Sequence, residues 1–424
     1  VQLFKNIKLL SKSVAKFATG EAVVRLSTLA LYAFTTRRFG VAVFGIVALA
    51  QAVSTYVTLC ADQGYKLIGA RLVAQYPRLS PYLIRAIVPR RAAFAALATL
   101  GGCLYAAWGP LPSASRPVVA AFALAVIPAS LALDWILWGT GSYIALSGWK
   151  ALVSVISSGL AIGGMLLTSH PLWSISIANI VAAIAGSASL WFFVSATSEK
   201  NHLEQDVAQF QKVRSELRTS KVVALGTANL LNLVFTNSDM LLLAALTNTT
   251  EIGKYGAATR LLFVVFSAYY LLLNTLYPTI AKIEDIRLLK RYLLPGLGVL
   301  LVVGVLFAVI LGHFSRQALT LIYGPNMHAD YLLQILVWAF PFELGVSLIS
   351  TILASQGYEA IMLRCLFVAS ALNVTLNLIF IPRFQAVAAA WSTVASYAIL
   401  WICYLVCVVA LKPRNTVQPA IVKA

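Results

Sequence analysis

Leu293 to Leu311 reads LLPGLGVLLVVGVLFAVIL, 19 residues without one charged side chain. At 1.5 Å of helical rise per residue, such a run spans roughly the 30 Å hydrocarbon core of a bilayer. A strand of a membrane barrel would alternate apolar and polar residues, and this run does not. Similar runs recur along the chain. Of its 424 residues 60% are apolar and only 11% charged, against about 25% charged in a soluble domain. No soluble core buries that much apolar surface, so lipid must cover part of it. The sequence therefore reads as an all-α integral membrane protein.

Working outward from that run, about twelve spans fit, at 16–36, 41–61, 88–108, 117–138, 149–168, 172–195, 221–246, 255–281, 292–312, 330–354, 361–381 and 386–411. The connections are short except at 62–87 and 196–220. This divides the chain into an N-terminal six-helix bundle (1–195), a cytoplasmic linker helix (196–220) and a C-terminal six-helix bundle (221–424). Leu3, Phe4, Ile7, Leu10, Val14 and Phe17 recur at helical spacing with Lys5, Lys8, Lys12 and Lys16 on other faces. Residues 1–17 are thus expected to lie in the headgroup plane as an amphipathic leader. The apolar run after them is too long for a cleavable signal. Leu203, Val207, Phe210 and Leu217 give the linker its own helical spacing.

A net charge of +18 raises the question of nucleic acid. Its distribution answers it. With the N-terminus in the cytoplasm, the inner segments hold 24 Lys and Arg and the outer ones hold six: Arg37, Arg38, Arg116, Lys254, Arg316 and Arg383. That asymmetry is the positive-inside pattern, and it places both termini in the cytoplasm. The charges set topology against an anionic leaflet, and no nucleic-acid partner is expected. Cys60, Cys103, Cys365, Cys403 and Cys407 lie in or beside apolar runs and read as packing residues. His170, His202, His313 and His328 fall at loops or span ends, and no spacing suggests a metal site.

One echo suggests duplication. Arg38-Phe39-Gly40-Val41-Ala42-Val43-Phe44-Gly45-Ile46 opens the second span, and Glu251-Ile252-Gly253-Lys254-Tyr255-Gly256-Ala257 opens the eighth. An aromatic–glycine pair at the second helix of each half fits a parallel repeat.

Several segments, in order, resemble one family. They are Phe44-Gly45-Ile46 through Ala61-Asp62-Gln63-Gly64-Tyr65 to Ala70-Arg71; Leu133-Asp134-Trp135 to Gly139; Asn237-Ser238-Asp239 through Gly256-Ala257-Ala258-Thr259-Arg260-Leu261; Tyr323-Gly324 with Leu353-Ala354-Ser355-Gln356-Gly357; and Asn377 to Phe384 with Ala388-Ala389-Ala390. The set resembles the polysaccharide transporters of the multidrug/oligosaccharidyl-lipid/polysaccharide (MOP) flippase superfamily, in the O-antigen flippase (Wzx-like) branch. It departs from them at Ala386-Val387-Ala388, where family members carry glycines. The resemblance implies two six-helix bundles about a pseudo-twofold axis, the MATE-like MOP fold, enclosing a cavity that alternates between membrane sides. It implies a flippase moving undecaprenyl-pyrophosphate-linked oligosaccharide, an O-antigen (lipopolysaccharide) or exopolysaccharide unit, across the bacterial inner membrane.

Ionisable side chains at membrane depth are costly and mark function. Here they are Glu21, Arg25, Asp134, Asp239, Arg260 and Glu343, with Asp62 at a helix end. Glu21 and Arg25 stand four apart on one face. Arginine stays charged and grips phosphates through paired donors. One Arg from each half, Arg25 and Arg260, would hold the pyrophosphate between the bundles, with Glu21 and Asp239 lining the cavity. Asp134, beside Trp135 and Trp138, reads as an inner-gate contact or a helix-end anchor. Asp239 and Glu343 are the candidates for coupling to H+ or Na+; no other cofactor is expected. Pro128, Pro278 and Pro341 interrupt spans, and Pro341 beside Glu343 is the hinge candidate.

Three other readings compete. A drug or cation exporter of the same superfamily would have an acidic, apolar cavity. A lipid II flippase is a near neighbour whose relatives carry additional C-terminal spans. A glycosyltransferase or polymerase would need catalytic groups outside, and 313–329 holds no carboxylate. No Gly-Lys-Ser/Thr phosphate loop for an ATP-driven pump occurs. The expectation is a non-enzymatic monomer, with membrane lipids, the lipid-linked oligosaccharide and polysaccharide polymerase machinery as its partners.

Overall fold

The computed structural model describes residues 2–168, 170–197, 207–280, 286–356 and 358–410. The apolar runs fold as helices, and there is no strand among the described residues. In chain order the helices are α1 (Gln2–Phe39), α2 (Val41–Asp62), α3 (Tyr65–Gln75), α4 (Ser80–Trp108), α5 (Arg116–Leu124), α6 (Val126–Ser130), α7 (Asp134–Gly139), α8 (Tyr143–Leu167), α9 (Pro171–Thr197), α10 (Val207–Glu216), α11 (Thr219–Leu246), α12 (Thr249–Ile280), α13 (Ile286–His313), α14 (Ser315–Tyr323), α15 (Asp330–Leu336), α16 (Ala339–Ser355) and α17 (Glu359–Ala410). Among the described residues eight segments are long and apolar enough to cross a membrane by length and composition. Phe192, Leu167 and Val299 are more than half exposed on α9, α8 and α13, as lipid-facing surfaces require.

Three expectations about single elements change. The leader does not turn into the headgroup plane: α1 runs unbroken for 38 residues, about 57 Å at helical rise. The span expected at 117–138 is broken into α5, α6 and α7. Pro128 has no N–H to offer the carbonyl of Leu124, and α5 ends at that residue. The carbonyls around this break find side-chain donors: Ser187 Oγ donates to Pro128 O (2.5 Å), Trp191 Nε1 to Leu131 O (2.9 Å) and Arg91 Nη1 to Ala132 O (3.1 Å). Irregular backbone at membrane depth persists where protein supplies such partners. The span at 330–354 likewise breaks at Val337–Trp338. Pro341 stands in the first turn of α16, and Val337 O accepts the N–H of Phe340 (3.0 Å) instead. Pro278 lies where the side chains are outside the described residues.

The spans at 361–381 and 386–411 merge in α17, whose 52 residues hold one non-helical residue, Gln385 (φ 51°, ψ −132°). A straight helix would part Cys365 and Cys407 by about 63 Å, yet their sulfurs are 3.7 Å apart. The segment is therefore an antiparallel hairpin turned at Gln385, and it supplies two crossings.

The helices form two six-span bundles, α1–α9 and α11–α17, with α10 between them. Val213 of α10 and Leu217 just after it are buried in one apolar cluster with residues of α3, α4 and α9, and Phe210 lies edge-on to Tyr82 (5.1 Å). Leu203 and Val207, also expected on that face, lie outside the described side chains. The bundles meet along α2. Its first turns cross α12 at Gly45 and Gly253, where a Cβ on Gly45 would lie 2.9 Å from the Gly253 nitrogen. Its last turns meet α11, where Gly64 (φ +94°) sits against Leu225 and Val222.

The hairpin makes a direct expectation. Copper phenanthroline oxidation in membranes should join Cys365 to Cys407. After cleavage at a protease site inserted at Gln385, the fragments should stay linked on a non-reducing gel and part on a reducing one. Parted fragments on both gels would contradict the turn.

Candidate functional site

The sequence-marked charges fall into three places. The first is the seam between bundles near α14. Arg260 of α12 reaches across the seam, with its guanidinium carbon 4.0 Å from the Tyr32 ring of α1 and 5.3 Å from the Phe44 ring of α2. Both separations lie within cation–π reach. Its Nη1 is buried and has no hydrogen-bond partner among the described residues. Tyr323 of α14 packs on Phe44 (ring centroids 5.5 Å), and its buried hydroxyl is also unpartnered among the described residues. Arg25 is exposed. It precedes Tyr32 by seven residues, so it shares the Tyr32 face of α1, about 10 Å nearer the α3 end. Arg25 and Arg260 thus belong to one side of α1. Glu21 does not pair with Arg25; it accepts from Lys150 Nζ of α8 at 3.0 Å. Lys150 lies within α8, and the sequence reading did not single it out.

The second place lies within the C-terminal bundle. Asp239 of α11 is 2% exposed. Its Oδ2 accepts from Tyr255 Oη (2.5 Å) and Thr393 Oγ1 (2.9 Å), and its Oδ1 from Asn377 Nδ2. Asn373 Oδ1 accepts from Asn377 Nδ2 (3.1 Å) and from Ser238 Oγ (3.0 Å). The Oδ1 of Asn377 is buried without a partner among the described residues. No cation pairs with Asp239 in the described residues, and its hydrogen-bond partners there are neutral donors. Asp239, Tyr255 and Thr393 line a cavity of about 20 Å³, enough for one water-sized occupant. The sequence marked Asp239 but not Tyr255, Asn373, Asn377 or Thr393. The i, i+4 pair Asn373–Asn377 in an apolar run was the available signal.

The third place is the α3 end of the N-terminal bundle. The chain reverses from α2 to α3 through Gln63 (φ 47°) and Gly64. This brings Asp62 against Arg91 of α4 (Nε to Oδ1, 3.3 Å) and under the Lys66 amide (3.2 Å). Lys66 Nζ pairs with Asp134, the buried first residue of α7. Arg71 pairs with Glu216, tying α3 to α10. Asp134 therefore joins α7 to α3 within one bundle, and its contacts do not cross the seam. Glu343, 2% exposed, stands apart from all three places: Ser347 Oγ donates to its Oε1 at 2.8 Å, and Gly304 of α13 packs against nearby Pro341. Among the described residues the arrangement thus offers a cation at the seam with one unpartnered nitrogen and an oxygen-rich acid within one bundle. Among the described residues no group of three or more metal-ligating side chains forms.

Comparisons with known proteins agree with this architecture. Residues 10–284 match the family described as "Polysaccharide biosynthesis protein". Among curated proteins none matches the chain. A lipid II flippase, MurJ, in an inward closed conformation superposes with a TM-score of 0.66 at 15% identity, over 93% of this chain and 88% of that one. An inward-facing multidrug resistance MATE family transporter of the MOP superfamily gives 0.68 at 11% identity, over 92% and 96%. A MOP superfamily transporter from Pyrococcus furiosus, described by a binding pocket of reverse polarity, gives 0.55 at 13% identity, over 94% and 96%. At these identities the likeness is one of fold: a multi-pass membrane protein of MOP architecture.

The ion pair at the α3 end generates a double-mutant test. Lys66→Ala strands the Asp134 carboxylate and should destabilise the protein by about 1–3 kcal/mol. Lys66→Ala with Asp134→Ala should cost less than the two single changes combined, read by thermal unfolding in detergent. Strict additivity would mean the pair carries no coupling.

Proposed function

The chain belongs to the polysaccharide biosynthesis protein family, and from that premise we propose that it is a flippase for undecaprenyl-pyrophosphate-linked oligosaccharide, an O-antigen or exopolysaccharide unit. It works by alternating access, without catalysing a covalent step. The N- and C-terminal bundles, 1–195 and 221–424, rock about the seam, with 196–220 as the cytoplasmic tie. It resides in the bacterial inner membrane with both termini and the α3 end in the cytoplasm and the α14 end outside, as the lysine and arginine asymmetry favours. It acts as a monomer that hands its product to polymerase machinery.

The observation that carries this reading is the Arg260 guanidinium. It is a charge held in the seam by aromatic rings, with one buried nitrogen unpaired. A guanidinium desolvated in this way calls for an anion. Arg25, two turns away on the Tyr32 face of α1, adds a second positive charge on the path. A pyrophosphate offers several acceptor oxygens to both. The lipid II flippase among the structural neighbours supports a lipid-borne cargo. A seam cation that no carboxylate meets among the described residues stands against a drug-cation exporter. Lipid II shares the pyrophosphate head, and the accumulating intermediate tells the two apart.

We assign the coupling role to Asp239. A lone carboxylate among oxygen atoms, beside a cavity for one small occupant, suits a proton or a sodium ion. Glu343 is the second candidate.

Deleting the gene and analysing lipids by mass spectrometry should show undecaprenyl-pyrophosphate-linked repeat units accumulating; accumulation of lipid II instead would move the cargo. Arg25→Ala or Arg260→Ala should lower clearance about tenfold or more with insertion intact, and Arg→Lys should recover part of it. Full flipping by the double mutant would eliminate the pyrophosphate role. Asp239→Asn should remove the dependence of flipping on the proton or sodium gradient. A dependence unchanged in Asp239→Asn and lost in Glu343→Gln would shift the role to Glu343.

A further inference from the structure

Among the described residues the seam contains two buried donors without acceptors, and they come from different helices. One is Arg260 Nη1 of α12 and the other is Tyr323 Oη of α14. They share a wall: the Phe44 ring is 5.3 Å from the Arg260 guanidinium carbon and 5.5 Å from the Tyr323 ring. Tyr32 closes the other side, its ring 4.0 Å from the guanidinium carbon and edge-on to Phe44 at 5.4 Å. Buried polar atoms are nearly always paired, and those that are not ask for a ligand. Two donors, one of them cationic, specify an oxyanion.

Tyr323 is held in place from the opposite bundle. Arg37 of α1 donates to the last carbonyls of α14, to Ile322 O through Nε (3.1 Å) and to Leu321 O through Nη2. A cation there also meets the negative end of the helix dipole. Gly324 follows with φ +97°, and a Cβ there would lie 3.2 Å from Arg37 Cγ, so the chain turns directly over the arginine stem.

The geometry points to Tyr323 as a second substrate-binding donor, acting with Arg260 on the pyrophosphate, in a site that is whole only while the α14 end is closed. The inference rests on the flippase reading and extends it. Opening that end draws the Tyr32 and Phe44 rings off Arg260 and admits water, which weakens every charge interaction there. The head group is then gripped in the closed state and let go in the open one. A ligand shifts a conformational balance only through such a difference in affinity. Arg37 is a positioning residue, because it touches α14 and not the anion.

The test is calorimetric titration of inorganic pyrophosphate into the full-length protein in nanodiscs of zwitterionic lipid. The unsubstituted protein should bind, and Arg260→Ala should not. Tyr323→Phe should bind about tenfold more weakly while its thermal stability without anion is unchanged or raised, since the lost hydroxyl had no partner. Tyr32→Leu should weaken binding similarly. Arg37→Ala should weaken it, with Arg37→Lys partly restoring it. Unchanged affinity in Tyr323→Phe beside lost affinity in Arg260→Ala would overturn the role of Tyr323 and leave the flippase reading standing. A Tyr323→Phe protein that melts lower without anion would make the hydroxyl structural. Absence of binding, or binding kept in Arg260→Ala, would overturn both readings. Displacement of pyrophosphate by phosphatidylglycerol in the nanodisc would assign the site to ordinary lipid head groups and overturn the inference.

Discussion

Two helices cross at the separation of α2 and α12 only where neither carries a side chain at the crossing. Gly45 and Gly253 meet that condition: a Cβ on either would drive into the backbone of the other helix. In lipid there is no hydrophobic drive to press helices together, so close van der Waals packing through small residues takes its place. Ala48 and Gly256 continue the contact one turn on. Most of the seam follows from this crossing. It sets α1 and α2 near enough to α12 for Tyr32 and Phe44 to reach Arg260, and it leaves room at the rim for α14 to insert Tyr323. It also joins the two bundles through one another's second long span, the place where the sequence carries its aromatic–glycine echo.

Broken spans obey a second constraint. A carbonyl released from a helix inside a membrane must be met by some donor. In the N-terminal bundle the donors come from α9 and α4: Ser187, Trp191 and Arg91 close three carbonyls between Pro128 and Ala132. Arg91 is fixed in turn by Asp62, and Lys66 of the same turn pairs with Asp134 where the broken span resumes. The ion pairs of the α3 end therefore support irregular backbone and fasten α2, α3, α4 and α7 together. At the break before Pro341 the chain uses its own backbone instead, through the tighter bond from Phe340 to Val337.

These contrasts explain what could be read from sequence. Apolar runs report on solvent, bilayer or water, so the all-α membrane fold was legible, although α1 and α4 begin well before the spans expected at 16–36 and 88–108. Where a span is interrupted, the cause is partly local, as at Pro128, but its extent depends on donors from distant helices, as with Trp191. The leader misled because periodicity gives a face without an angle to the membrane. At the sites, charge at membrane depth pointed to Asp239, which is buried, and to Arg260, which is half-buried with its Nη1 enclosed. Their partners were invisible. Tyr32, Phe44 and Tyr323 look like any aromatic in an apolar run, and Asn373, Asn377 and Thr393 meet Asp239 only after a hairpin folds at Gln385. Glu21 and Arg25 share a face of α1, yet a closer cation, Lys150 of α8, takes the carboxylate.

One helix carries all three functions proposed for the C-terminal bundle. Along α12, Gly253 makes the crossing, Tyr255 donates to Asp239, and Arg260 faces the rings of the opposite half. Tyr255 and Arg260 are five residues apart, a rise of about 7.5 Å. Filling the cavity beside Asp239 changes what Tyr255 and Thr393 are asked to hold. Because helices are packed solids rather than fluid, a shift at Tyr255 moves the backbone that carries Gly253 and Arg260. Under the proposed mechanism, a sodium ion or proton at Asp239 would therefore act on the same helix that crosses the seam and carries Arg260. This is the physical requirement for coupling: two ligands whose energies depend on the position of one body.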